Sequence, residues 1–97
     1  MKVYTLFESD KPEKKFLVIS PEGKKVYFGA SGYSDYTKHK DPKRKDNYIK
    51  RHKKRENWSK SGLNTAGFWS RWLLWNKPTI EESLAFIADR FNVIIDY

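Results

Sequence analysis

Apolar and polar positions change period three times along the chain. Lys2–Phe7 (KVYTLF) and Lys14–Ser20 (KKFLVIS) are short runs rich in Val, Tyr, Phe and Ile, with Asp10-Lys11-Pro12 between them. Such runs bounded by turn residues predict strands. Phe16-Leu17-Val18-Ile19 is continuously apolar and reads as a central strand. Pro21-Glu22-Gly23-Lys24 supplies a turn, since Pro presets φ and Gly accepts positive φ. Lys25-Val26-Tyr27-Phe28 then resumes a strand that ends at Gly29, giving a three-stranded antiparallel meander.

The stretch Gly29–Lys40 (GASGYSDYTKHK) predicts an ordered loop, and after it the period becomes helical. Asp41-Pro42 is a helix start, with Asp as N-cap and Pro at the first position, where its missing donor costs nothing. From Pro42 to about Glu56, Lys45, Tyr48, Ile49 and His52 form one stripe, and Lys43, Arg44, Asn47, Lys50, Arg51, Lys54 and Arg55 fill the remainder. This helix should dock by Tyr48 and Ile49 and turn its bases to solvent. Asn57–Asn64 reads as a loop, and Asn64 or Thr65 can cap a helix over Ala66–Trp75 (AGFWSRWLLW), whose rings cover more than one face and predict deep burial. Asn76-Lys77-Pro78 breaks it. Thr79 and Glu82 form a capping box for a last helix to about Arg90, with Ile80, Leu84, Ile87, Ala88 and Phe91 as its apolar stripe. Val93-Ile94-Ile95 reads as a short strand able to join the meander. The expected architecture is one α+β domain over residues 1–97: a small antiparallel sheet, three N-terminal strands plus a short C-terminal one, packed with about three helices.

Composition sharpens this. Phe, Tyr and Trp make up 16% of the 97 residues, which lets a short chain bury much area. No run of 18 apolar residues exists, so no membrane partner is expected, and the amino-terminal apolar run is too short for a secretory signal. With no cysteine there is neither a disulfide nor a thiolate metal site.

Charge changes the picture most. The net charge is +8, and the 18 residues Lys38–Arg55 hold ten bases against only Asp41 and Asp46, whereas the rest of the chain balances ten bases with ten acids. A positive field this concentrated suits a polyanion. Lys38, Lys40, Lys43, Arg44, Lys50, Arg51, Lys54 and Arg55 can contact backbone phosphates, Asn47 can add a neutral hydrogen bond, and Tyr33 or Tyr36 can stack on a base. Equally, Tyr36 can pin the loop to the core, and a charge run can be a merely solvated face.

Enzymatic readings are weaker. His39, Asn47 and His52 invite comparison with His–Asn–His nucleases, but Asn47 and His52 fall in one predicted helix, where those sites draw on a hairpin and a separate helix. Asp35, Asp41 and Asp46 could hold Mg²⁺, though acids scattered among bases usually form local ion pairs. A GIY-YIG pattern would need Phe16-Leu17-Val18 and Tyr27-Phe28-Gly29 with Arg44, and the first segment lacks its Gly and Tyr. Nothing matches a nucleophile–base pair or a phosphate loop. No catalytic, metal-binding or cofactor set is therefore expected.

The run FGASGYSDYTKHKDPKRKDNYIKRHKKRENW, followed by TAGFWSRWLLWNKPTIEESL, resembles a family of short, basic proteins of giant nucleocytoplasmic DNA viruses, over about residues 14–84. The resemblance implies a viral setting, with a role on viral DNA or a structural place in the virion, and supplies no catalytic residues. Three readings follow from charge and resemblance together. The first is a non-enzymatic nucleic-acid binder, DNA before RNA, with low sequence specificity. The second is a virion component that binds acidic virion proteins. The third is a small metal-dependent endonuclease centred on residues 35–52. The expected location is the infected cell, in cytoplasm or nucleus, or the virion, without secretion. The sequence leaves the oligomeric state open.

Overall fold

The computed structural model describes residues 2–97. Three strands, β1 (Val3–Glu8), β2 (Lys14–Ile19) and β3 (Lys25–Ala30), form the expected antiparallel meander. A fourth, β4 (Ile94–Asp96), joins on the far side of β1, so the order is β3-β2-β1-β4. β4 runs parallel to β1, Val3 facing Ile94 and Thr5 facing Asp96. The sheet is therefore mixed, where an antiparallel one was expected. Parallel pairing needs a long crossover, and the whole helical layer between β3 and β4 supplies it.

Four helices make the second layer: α1 (Tyr36–His39), α2 (Pro42–His52), α3 (Ala66–Trp69) and α4 (Ile80–Phe91). Side-chain caps start each of them as local chemistry dictates. Asp41 accepts from the Lys43 N–H at 3.0 Å, Thr65 from Phe68 at 3.3 Å and Thr79 from Glu82 at 3.1 Å. The Thr79 hydroxyl also donates to the Glu82 carboxylate at 3.1 Å. Asn92, in the left-handed region at φ 55°, ends α4 and turns the chain towards β4.

Several expected boundaries shift. The Gly29–Lys40 loop contains the single turn α1, and the Asn57–Asn64 loop contains a 3₁₀ turn at Lys60–Gly62. α2 stops at His52, four residues short of Glu56, and Lys53–Arg55 continue only as turns. The helix expected over Ala66–Trp75 is α only to Trp69 and continues as a π-helix over Ser70–Leu74, closed by the Trp75 N–H on the Ser70 carbonyl at 3.1 Å. The wider turn separates rings that a uniform helix would crowd together. Phe68, Trp69, Leu73 and Leu74 enter the core, Trp72 stacks on Phe86 of α4, and Trp75 turns to α2.

The core lies between the helices and one face of the sheet. Tyr4, Leu6, Val18, Val26 and Phe28 come from the strands, and Phe68, Trp69, Leu73, Leu84, Ile87 and Phe91 from the helices. Gly29 lets the layers close: its φ is +77°, and a Cβ there would stand 2.9 Å from Leu74 Cδ1. Among the described residues no helix is long and apolar enough to cross a membrane.

Candidate nucleic-acid interface

α2 has the two faces its pattern predicts. Tyr48 is buried, and its ring lies parallel to that of Trp75, 4.5 Å between centroids, with His52 at 4.4 Å on Tyr48 as well. Lys45, on the same stripe, donates to the Asn76 carbonyl at 2.7 Å, and its ammonium stands 5.0 Å from the Tyr36 ring. Desolvation, then the charges of Arg71 and Lys77, hold the Lys45 pKa below the usual lysine value. Burial pushes the Tyr48 hydroxyl up to about 12. Arg71 anchors the other side of the stack by donating to the Trp75 carbonyl at 2.7 Å while its guanidinium lies 4.4 Å from the Trp72 ring.

The outer face carries Lys43, Arg44, Asn47, Lys50 and Arg51, all exposed, and the turn after it presents Lys54 and Arg55. Among these only Lys50 has an ion-pair partner within the described residues, Asp46 one turn earlier at 3.2 Å. The other cations are unneutralised, as a phosphate-binding surface requires.

A buried ion pair fixes the approach to α2. Asp35 is the N-cap of α1, accepting from the Thr37 N–H at 3.0 Å and from the Thr37 hydroxyl, while its other oxygen receives Lys15 Nζ of β2 at 2.6 Å. Both side chains are buried. This clamp holds α1 to the sheet, and α1 delivers Lys38 and Lys40 to the surface; Lys40 ends the helix in the left-handed region at φ 54°. His39 of α1 packs on Trp75 at 5.3 Å, and its Nδ1 accepts from the Asp41 N–H at 3.0 Å. Tyr36 is half-buried between His39 and Lys45 and ties the loop to the fold, whereas Tyr33 is 74% exposed.

Sequence reasoning missed the cleft that this arrangement creates. An open cavity of about 680 Å³ lies between the Lys14/Gly29–Ala30 end of the sheet and α2. Arg44 and Arg51, seven residues apart on one side of α2, line it opposite Lys14, and Tyr33 stands on its rim. Glu56 is the acid along the wall besides the paired Asp35, and it lies so close to Gly67 that a Cβ there would collide with its carboxylate. No local signal marks the cleft, because Lys14 and Arg51 lie far apart in sequence and meet only through the Asp35 clamp and the Trp75–Tyr48 stack.

The nuclease constellation does not assemble. Asn47 is on the outer face, while His39 and His52 sit at the two ends of a run of ring contacts through Trp75 and Tyr48. Desolvation, aided by Arg44 at His39 and by Arg55 at His52, holds both imidazoles below the ordinary histidine pKa. Among the described residues no group of three His, Asp or Glu side chains gathers as a metal site.

No curated protein and no solved structure matches the chain. One family model does, over residues 4–52, half of the 97-residue chain. The matched span runs from β1 to the last residue of α2, so it contains the three-stranded meander, the Lys15–Asp35 clamp and the basic helix, and stops before the tryptophan-rich segment and β4. The chain belongs to the family of unknown function DUF5754.

Proposed function

We propose that this protein binds nucleic acid without cleaving it, holding backbone phosphates on the outer face of α2 with little sequence preference. The observation that carries the reading is the row of exposed, unneutralised cations on α2, which continues across the cleft to Lys14. Lys43, Arg44, Arg51, Lys54 and Arg55 neutralise phosphates, Lys38 and Lys40 extend the surface on the α1 side, and Asn47 adds a neutral hydrogen bond. A cleft with cations on both walls and an exposed tyrosine at its rim also suits a strand whose bases are free to stack. In the viral setting that the sequence resemblance implies, the ligand is the DNA of a large virus, met in the infected cell or the virion.

The test is a binding titration on fluorescent duplex DNA, single-stranded DNA and a branched junction, each at several salt concentrations. Wild-type protein is expected to bind with dissociation constants on the order of micromolar at physiological salt. The triple variant Arg44→Gln/Arg51→Gln/Lys54→Gln should weaken binding and reduce the salt slope by about 3. Unchanged binding in that variant sinks the proposal. If wild-type protein ignores all three nucleic acids but binds acidic virion proteins through the same cations, the surface serves a protein partner instead.

A further inference from the structure

The face of the sheet turned away from the helices carries exposed apolar side chains on its β1 and β4 side. Strand register places Val3, Thr5 and Phe7 of β1 on it, beside Leu17 and Ile19 of β2, Lys25 and Tyr27 of β3, and Ile94 and Asp96 of β4. Leu17 is already buried among its neighbours on this face, and Val3, Phe7, Ile19 and Ile94 stay outside the core cluster, whereas their alternating neighbours Tyr4, Leu6, Val18, Phe28 and Ile95 all belong to it or pack against it. Val3, Phe7 and Ile94 are 42%, 47% and 46% exposed, and they are three of the five large exposed apolar side chains among the described residues. A small protein seldom leaves such a face open unless something binds there.

Its charges say what fits. One row crosses all four strands in register: Lys25, Ile19, Thr5, Asp96. A lysine closes it at the β3 edge and an aspartate at the β4 edge, and neither has an ion-pair partner among the described residues. Three other charges near this face are engaged within the chain. Asp10 accepts from the Tyr27 hydroxyl at 2.8 Å, Lys11 stands 4.2 Å from the Tyr27 ring, and Lys15 is tied to Asp35. A half-turn about an axis parallel to the strands, between β2 and β1, lays Lys25 of one copy over Asp96 of the other, and the reverse. The same rotation sets Ile19 over Thr5 and Phe7 over Leu17. Two sheets packed face to face lie about 10 Å apart, a gap that facing lysine and aspartate side chains can close.

We infer that this face is a self-association surface, and that two copies meet through it as a two-fold sandwich registered by reciprocal Lys25–Asp96 pairs. Apolar burial of Val3, Phe7 and Ile94, with the half-buried Ile19, provides the attraction; exposed rim pairs contribute little and select the register. The geometry does not depend on the nucleic-acid reading. In such a pair the helical layers lie on opposite outer sides, so each copy keeps its own basic helix open. Four strands of this length present roughly 300–400 Å² per copy, below the standard interface size, so the dimer is weak, on the order of tens of micromolar.

Sedimentation equilibrium of the whole chain, without nucleic acid, from about 1 to 500 µM brackets that range. A monomer–dimer equilibrium is expected. Phe7→Gln should remove the dimer, and Lys25→Asp or Asp96→Lys alone should weaken it about tenfold, since each replaces two attractions by two repulsions. Combining Lys25→Asp with Asp96→Lys should restore association to within about threefold of wild type. Circular-dichroism melts establish that each variant is folded, and the charge pair keeps the test decisive should Phe7→Gln not fold. A monomer at every concentration, a dimer indifferent to Phe7→Gln, or a double variant no better than either single reversal overturns the inference.

Discussion

The two faces of α2 share eleven residues and one backbone, yet they do different physical work. On the inner face Tyr48 lies flat on Trp75, and Lys45 spends its ammonium on a single backbone carbonyl. On the outer face the cations are exposed, and only Lys50 has an ion-pair partner among the described residues. Stability therefore resides in the inner face, and the proposed ligand contacts lie on the outer one. A basic helix with so thin an apolar edge would not hold its position by burial alone; the aromatic stack and the Lys15–Asp35 clamp fix it against the fold.

Deleting the inner face should have the largest effect. Tyr48→Ala removes a buried ring that touches Trp75, His52 and Trp58, and is expected to cost about 3 kcal/mol. For a domain of this size that lowers the melting temperature by well over ten degrees. Urea denaturation of the variant is the measurement, with Tyr48→Phe as the control that keeps the ring and stays near wild type. A loss below about 1 kcal/mol would mean that the stack is incidental and that α2 is held elsewhere.

Two lysines two residues apart sharpen the contrast. Lys45→Ala leaves the half-buried Asn76 carbonyl contact unmade and should cost about 1–2 kcal/mol of folding stability. Lys43→Ala, on the outer face, should change stability by less than about 0.5 kcal/mol and act on ligand binding instead. Chemical denaturation of the pair checks the first half and a DNA titration the second. Equal stability losses in the two variants would erase the distinction between the faces.

Much of this division was legible in the sequence. The spacing of Tyr48, Ile49 and His52 against the surrounding bases identified both faces of α2, and Asp41-Pro42, the Asn64-Thr65 pair (of which Thr65 is the cap) and the Thr79–Glu82 box located three helix starts, because caps are local hydrogen bonds. The meander followed from its turns. What the chain order hid is long-range. The parallel β4–β1 pairing depends on where the helical layer delivers the chain, which no strand pattern encodes. The π-turn at Ser70–Leu74 answers the crowding of four large rings against α4 and α2, and a uniform helical period cannot express it. The Lys15–Asp35 clamp joins residues twenty apart, so the cleft between Lys14 and Arg51 had no signature. Tyr36 illustrates the reverse case: its composition suited a stacking platform, and only the fold shows Lys45 and His39 already against its ring.

The smallest effect separates the faces by pH. His39 accepts the Asp41 N–H at Nδ1, a bond only an unprotonated nitrogen can make, and its Nε2 is buried without a hydrogen-bond partner. Both facts agree with a pKa lowered by desolvation and then by Arg44, and desolvation lowers His52 on the Tyr48 ring as well. A histidine whose folded pKa lies below its unfolded value of about 6.5 binds fewer protons when folded. Its contribution is thus fully present above about pH 6.5 and is lost as pH falls towards the folded pKa. The lowered carboxyl of Asp10, held down first by its hydrogen bond from Tyr27, titrates in a more acidic range and does not overlap this window. Melting temperatures taken from pH 7.5 to 5 should decline by a few degrees in wild type. In His39→Asn, whose amide oxygen can still accept the Asp41 N–H, the decline should be shallower, and adding His52→Gln should flatten it further. Lys43→Ala should leave the slope as it is, because its charge has no buried partner to lose. A decline that survives both histidine substitutions would place the pH sensitivity outside the run of rings, His39, Trp75, Tyr48 and His52, that seats α2.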